Sequence, residues 1–287
     1  MRISTARAKS PSTHGSVDTF ATTSPYPQHL SRTVLRVFTV GALLAGAVAA
    51  YIIGLSKTGV PGGGLLAVPL FATVFEGRLI AGAILPVLVF ADLFAIGWYR
   101  QHARWDLLRP LAPWVGLGFG FGTAFFIAVG SATRSLEIVI GSIVLSIVAI
   151  QAWRMWRGAP ERAATTATAA TYGTAGGFTT FVANAAGPVI NTYLVGLGLP
   201  KYQLIGTTAW LYFVVNLSKV PFYLVLGQWT SGGRFFTWES LLFDLTLVPA
   251  ILAGVYSGRS LFHRIPQRTF LLVVLVFSAG GALKLLA

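Results

Sequence analysis

Residues 56–70 read SKTGVPGGGLLAVPL, from Ser56 to Leu70. Four Gly, two Pro and one Lys sit inside an otherwise apolar run from Val37 to Phe75. Gly and Pro destabilise a helix interior. The backbone groups that such a break frees cannot face lipid, so it is tolerated only where it is buried in protein or lines a wet cavity. Whether this stretch is a packing kink or the wall of a site decides how the chain is read.

The surrounding composition sets the class. Of 287 residues, 55% are hydrophobic and 10% are charged, against about a quarter charged in a soluble domain. The apolar residues fall into eight blocks: Val37–Phe75 (interrupted), Leu79–Tyr99, Pro110–Val129, Leu136–Trp156, Thr166–Leu199 (interrupted), Gly206–Leu226, Leu241–Tyr256 and Thr269–Leu286. Most have about the 20 residues that a helix needs to cross a hydrocarbon core. The fold class is therefore an all-α integral membrane protein, with the lipid bilayer as its solvent.

Other classes drop out. Cysteine is absent, which removes disulfides and thiolate metal sites. His14, His29, His102 and His263 are scattered, with no metal-pair spacing. No metal and no cofactor is expected. The formal charge of +13 sits mostly between the apolar blocks, which fits the positive-inside rule better than a nucleic-acid footprint. No His lies inside a span and no HExxH or GxSxG occurs, so an intramembrane hydrolase is disfavoured and the chain is read as not an enzyme. Residues 1–33 are rich in Ser, Thr and Pro, with Asp18 as the one acid. They lack the apolar core of a secretory signal. They have the acid-poor look of a transit peptide, and are read as a disordered tail.

The two interrupted blocks occupy matching places. At an offset of 124, Gly63 falls on Gly187, Gly82 on Gly206, Tyr99 on Tyr223, Trp105 on Trp229 and Asp92 on Asn216. The offset then drifts, and Arg134 matches Arg268. The pattern predicts two repeats of about four hydrophobic elements, residues 34–157 and 158–287, with broken or re-entrant helices at 37–75 and 166–199. Paired breaks in corresponding places point to a transporter binding site. Half-helix N-termini near mid-bilayer carry partial positive charge and suit an anion.

Ionisable residues inside the blocks sharpen this. Lys57 lies in the first break, Asp92 deep in its block, and Lys219 in VVNLSKVPFY. Each is costly in hydrocarbon and should face the bundle interior with a partner. Asn216 and Lys219 are three apart and share a helix face. The second break, FVANAAGPVINTYL, adds Asn184 and Asn191 beside Gly187 and Pro188. A structural Asp–Lys ion pair fastening the two halves is the other role open to these charges. Asp244 is read as close to an interface, and Lys284 as snorkelling.

These stretches resemble the sulfite exporter TauE/SafE family. GLSKTGVPGGGLLAVPL followed by RLIAGAILPVLVFADLFAIGWYRQHARWDLLRPLAP is similar to its first half, and FVANAAGPVINTYLVGLGLPKYQLIGTTAWLYFVVNLSKVPFY to its second. The resemblance runs from about Val37 to the C-terminus. It implies a multi-pass carrier of the bacterial inner membrane that exports a small sulfur-containing or organic anion: sulfite, sulfoacetate or a related sulfonate. The matching positions give the candidate substrate site: Lys57, Gly62, Gly63, Asn184, Gly187, Thr207, Asn216 and Lys219, with Asp92 as a proton-coupling candidate. A proton-coupled importer and an anion channel are the alternatives. The partners expected are the small anionic substrate and lipid, with no nucleic acid, and homo-oligomers stay open.

Loop charge tests the topology. Arg100–Arg109, Arg154–Arg162, Lys201 and Arg259–Arg268 hold ten Lys/Arg if placed on one side, against Arg78, Arg134 and Arg234 opposite. This requires the fifth block to enter and leave on one face. If the first does likewise, the repeats are inverted; if it crosses, the charge of the tail agrees better.

Overall fold

A computed structural model of the chain describes residues 38–59, 63–157, 164–261, 264 and 267–287. The tail assigned to residues 1–33, and Gly62, lie outside them. All regular structure among the described residues is helical: α1 Val40–Thr58, α2 Gly64–Phe71, α3 Arg78–Tyr99, α4 Trp105–Val129, α5 Thr133–Arg157, α6 Thr166–Ala183, α7 Ala186–Gly196, α8 Lys201–Trp229, α9 Trp238–Thr246, α10 Val248–Leu261 and α11 Gln267–Leu286. Among the described residues, five helices are long and apolar enough to cross a membrane: α1, α3 with its 3₁₀ extension to His102, α4, α5 and α8. The pair α9–α10, bent by 47°, makes a sixth if taken as one span. The single apolar block Leu241–Tyr256 is thus divided between two helices. Pro249, just past the bend at Leu247, has no N–H to continue the hydrogen-bond ladder.

Both interrupted blocks are broken helices. In the first, Phe38 and Phe75, at its two ends, both pack on Phe243, with ring centroids 6.2 and 5.4 Å away. In the second, Tyr172 near the start of α6 meets Tyr193 near the end of α7, with centroids 5.7 Å apart. Each block therefore returns to the end of the bundle from which it came. The two ends differ. Phe243 follows Arg234 by a few residues at the end that also holds Arg78 and Arg134. The second block begins after Arg157 and ends beside Lys201, at the end with most of the loop Lys and Arg. This end is called the basic end below.

Close backbone contact holds these hairpins. The hairpin helix α1 packs along α10, and α6 packs along α4. A Cβ at Gly54 would lie 2.5 Å from the Ile251 carbonyl oxygen, and one at Gly254 would lie 2.1 Å from that of Tyr51. Gly118 and Gly177 play the same part between α4 and α6. Small residues allow this approach where lipid gives no hydrophobic drive between helices. The long helices α3 and α8 cross at the centre, and α11 runs beside α5. There Arg134 donates to the carbonyls of Leu285 (3.1 Å) and Leu286 (2.7 Å). Asp244, expected near an interface, is buried.

Candidate functional site

Each break is fixed by its own hydrogen bonds. The helix α1 stops at Thr58, whose hydroxyl donates to Gly54 O (3.0 Å) and Val255 O (2.8 Å). Tyr99 Oη donates to Thr58 O at 3.0 Å. The chain resumes as α2 at Gly64, whose N–H reaches Ser56 Oγ at 3.3 Å. In the second break Asn184 takes φ +51°, the one non-glycine residue with positive φ among those described. Asn tolerates this left-handed conformation better than most residues, and here it ends α6. Tyr223 Oη donates to Phe181 O beside that break. The N-terminus of α7 has no side-chain cap.

The two breaks meet. They enclose, with α8, a cavity of about 60 Å³, lined among others by Ser56, Lys57, Gly64, Thr180, Asn184, Gly187, Asn191, Thr208, Tyr212 and Asn216. A single water needs about 10–15 Å³ of such space, so there is room for a few waters or one small ion. The α8 residues concerned run from Ile205 to Asn216. At 1.5 Å rise per residue, this places the cavity between the basic end and the middle of the helix. Beyond it lie Phe126, Phe181, Tyr223 and Phe235, all essentially inaccessible. Tyr223 and Phe235 stack with centroids 4.2 Å apart. Arg78 packs against the rings of Phe126 and Phe235 and donates to Phe126 O (2.6 Å) and Gly130 O (3.1 Å).

A chain of polar contacts backs the cavity. Lys57 Nζ lies 2.7 Å from Asp92 Oδ1 and 4.5 Å from the centroid of the Tyr212 ring. Asp92 Oδ2 accepts from Asn216 Nδ2 at 2.8 Å. Asp92 is fully buried, while the Lys57 side chain keeps 12% exposure. Lys219 is also fully buried. Its Nζ donates to Thr180 O (3.2 Å), Thr180 Oγ1 (3.3 Å) and Asn184 Oδ1. Asn184 Nδ2 in turn donates to Ala81 O at 2.9 Å. Buried charge is costly unless it is paired or hydrogen-bonded: Lys57 and Asp92 form an ion pair, and Lys219 is held by the neutral oxygens of Thr180 and Asn184.

Of the residues singled out from the sequence, Lys57, Asn184, Gly187, Pro188, Asn191 and Asn216 line the cavity. Gly63 stands next to it as the residue before α2. Asp92 and Lys219 form a layer behind it. Thr207 is displaced from the cavity: it faces the loop between α3 and α4 and accepts from Arg104 N at 3.0 Å. Its neighbour Thr208 lines the cavity instead, because a helix turns adjacent residues by about 100°. Ser56, Thr180, Thr208 and Tyr212 were not singled out. Thr208, Tyr212, Asn216 and Lys219 follow one another at steps of three and four, so one polar stripe on α8 carried the signal.

No curated protein and no solved structure matches the chain. A family model described as Sulfite exporter TauE/SafE matches residues 42–285, which takes in both breaks and every helix that touches the cavity. With several helices long and apolar enough to span, the chain is a multi-pass membrane protein and belongs to the sulfite exporter TauE/SafE family.

Proposed function

We propose that the protein carries a small anion, sulfite or an organic sulfonate such as sulfoacetate, out across the bacterial inner membrane. It binds the anion in the cavity between two repeats, residues 34–157 and 158–287. One observation carries the reading: both helix breaks meet at a single cavity that also holds the Lys57 ammonium and the uncapped N-terminus of α7. An ammonium out of bulk water attracts an anion far more strongly than one in water, and helix N-termini add to it.

With the cytoplasm negative, outward movement of an anion gains about 2.3 kcal/mol per charge per 100 mV. Export of an accumulated anion therefore needs no coupled ion, and transport rather than catalysis is the function. The alternative, a proton-coupled importer, is favoured by the Asp92 carboxylate beside the cavity. Flux into proteoliposomes over a panel of sulfite, sulfoacetate, thiosulfate and carboxylates tests the reading. Saturation and counterflow support a carrier; a linear, non-exchanging flux supports a channel. Uphill anion movement under a pH gradient alone, lost in Asp92→Asn, would replace the exporter by the importer.

A further inference from the structure

One buried carboxyl group takes no part in the cavity. Asp244 lies six residues into α9, about 9 Å along its axis at 1.5 Å per residue, and is 6% exposed. Neither of its oxygens has a hydrogen-bond partner, and no ion pair among the described residues includes it. The hydroxyls nearest to it in the chain are spent elsewhere: Ser240 Oγ donates to Thr237 O (2.9 Å) and Thr246 Oγ1 to Phe243 O (2.7 Å). The ionisable groups on the elements packed against α9 are engaged or turned away. On α3, Arg78 reaches Phe126 O and Gly130 O, Tyr99 donates to Thr58 O, and Asp92 is held by Lys57 of α1 and by Asn216. On α10, Arg259 stacks over the Trp98 ring at 4.5 Å. Tyr51 of α1 and Tyr256 of α10 are exposed, as is Arg234 before α9, and α2 has no ionisable residue. Glu76 and Glu239, next to these elements in the chain, are acids and supply no counter-charge.

We propose that Asp244 is a proton-binding site separate from the anion cavity: its carboxyl keeps its proton while α9 is packed in the bundle and releases it when water reaches α9. A carboxylate without a partner is costly in a dry interior, and such a group neutralises rather than stay charged. Asp92 differs, since Lys57 lies 2.7 Å from it. The residue beside Asp244 gives proton release a mechanical counterpart. Phe243 holds both ends of the first broken block, through Phe38 and Phe75, and Phe71 of α2 meets the same ring with centroids 6.4 Å apart. A Cβ at Gly46 of α1 would lie 2.5 Å from that ring. Hydration of Asp244 requires α9 to part from its neighbours, and the first hairpin, whose Lys57 lines the cavity, is one of them. A coupled proton would thus bind at a place of its own, off the route of the anion. No residue of α9 lines the cavity, so the inference holds whatever the cavity carries.

Two measurements on the purified full-length protein test this. Dicyclohexylcarbodiimide is an apolar reagent that adds to protonated carboxyls: the acid proton passes to one nitrogen, the carboxyl oxygen bonds to the central carbon, and nothing leaves. At neutral pH, peptide masses should show Asp244 labelled about tenfold or more above Asp106, whose carboxylate is exposed and ionised. Fragment ions separate Asp244 from Glu239. The second measurement is unfolding in detergent as a function of pH. Between the ordinary carboxyl value and the pH at which Asp244 ionises in the fold, the native state binds one proton more than the unfolded state, so stability falls as pH rises. Relative to Asp244→Asn, the folded-to-unfolded ratio of the parent should therefore fall by about tenfold for each unit of pH in that window. Asp244 labelled no more than Asp106, or an Asn variant offset from the parent by the same amount at every pH, overturns the proton site. So does stabilisation of the parent, but not of Asp244→Asn, by sodium over choline at equal ionic strength, since the carboxylate would then hold a metal cation. If Asp244→Asn does not fold, labelling of the parent decides.

Discussion

Asp92 and Asn216, 124 residues apart in the chain, are joined by a 2.8 Å hydrogen bond where α3 crosses α8. The separation is the same offset that aligns the two interrupted blocks. Asp92 Oδ1 meanwhile holds Lys57 of the first break, and Asn216 shares a face of α8 with Lys219, which holds the second. One carboxylate and one amide at the centre of the bundle thus tie both breaks to the crossing of the two long helices.

Loss of the carboxylate should be felt as stability. In Asp92→Ala, Lys57 loses its counter-ion while still largely enclosed. Breaking a buried pair by removing one partner costs about 3–5 kcal/mol. Unfolding in detergent should show a loss of that order for Asp92→Ala, and the double variant Lys57→Met/Asp92→Ala should recover most of it. A double variant no better than the single would mean that Asp92 acts through Asn216 alone.

Lys219 and Lys284 provide a matched comparison. Lys219 is fully buried against the second break, whereas Lys284 is exposed near the end of α11. At equal protein levels, Lys219→Ala is expected to lower anion flux about tenfold or more, and Lys284→Ala by less than about twofold, because desolvation strengthens the attraction of a cation for an anion. Equal losses would make Lys219 a purely structural residue.

Two glycines should respond in opposite ways. A Cβ at Gly54 would press to 2.5 Å from a backbone oxygen of α10, whereas one at Gly187 meets nothing within 4 Å. Overpacking costs about 1–3 kcal/mol, so Gly54→Ala should lower the unfolding midpoint. Gly187→Ala should leave the midpoint unchanged and raise KM, since its methyl group occupies space on the cavity wall.

Thr207 and Thr208 separate structure from binding. Thr207→Val removes the acceptor of the part-buried Arg104 N–H; a typical intramolecular hydrogen bond contributes about 0.5–1.5 kcal/mol. Stability should fall and KM should hold. Thr208→Val should do the reverse, raising KM with little change in stability. The opposite pattern in a thermal-shift and flux comparison would put Thr207 at the substrate.

Much of this was written in the sequence. The length and apolarity of the blocks fixed helices in a bilayer, since no other open structure satisfies its backbone there. The Gly and Pro content of SKTGVPGGGLLAVPL and NAAGP located both breaks for the same reason, and the rarity of charge inside spans picked out Lys57, Asp92 and Lys219. Tyr99 and Tyr223, which the offset of 124 aligns, each donate a hydroxyl to a carbonyl in the last turn of a broken helix, Thr58 O and Phe181 O.

Tertiary structure alone decided the rest. Hydropathy is blind to direction, so only the packing of Phe38 and Phe75 on one ring, Phe243, made the first block a hairpin rather than a span. The family resemblance implied Thr207 at the site; the rotation of α8 against α3 turned it to Arg104 and put Thr208 in its place. The pairing of Lys57 with Asp92 depends on two helices meeting across the bundle. A sequence records the cost of burying each charge, but which partner offsets that cost is settled by the geometry of the packed helices.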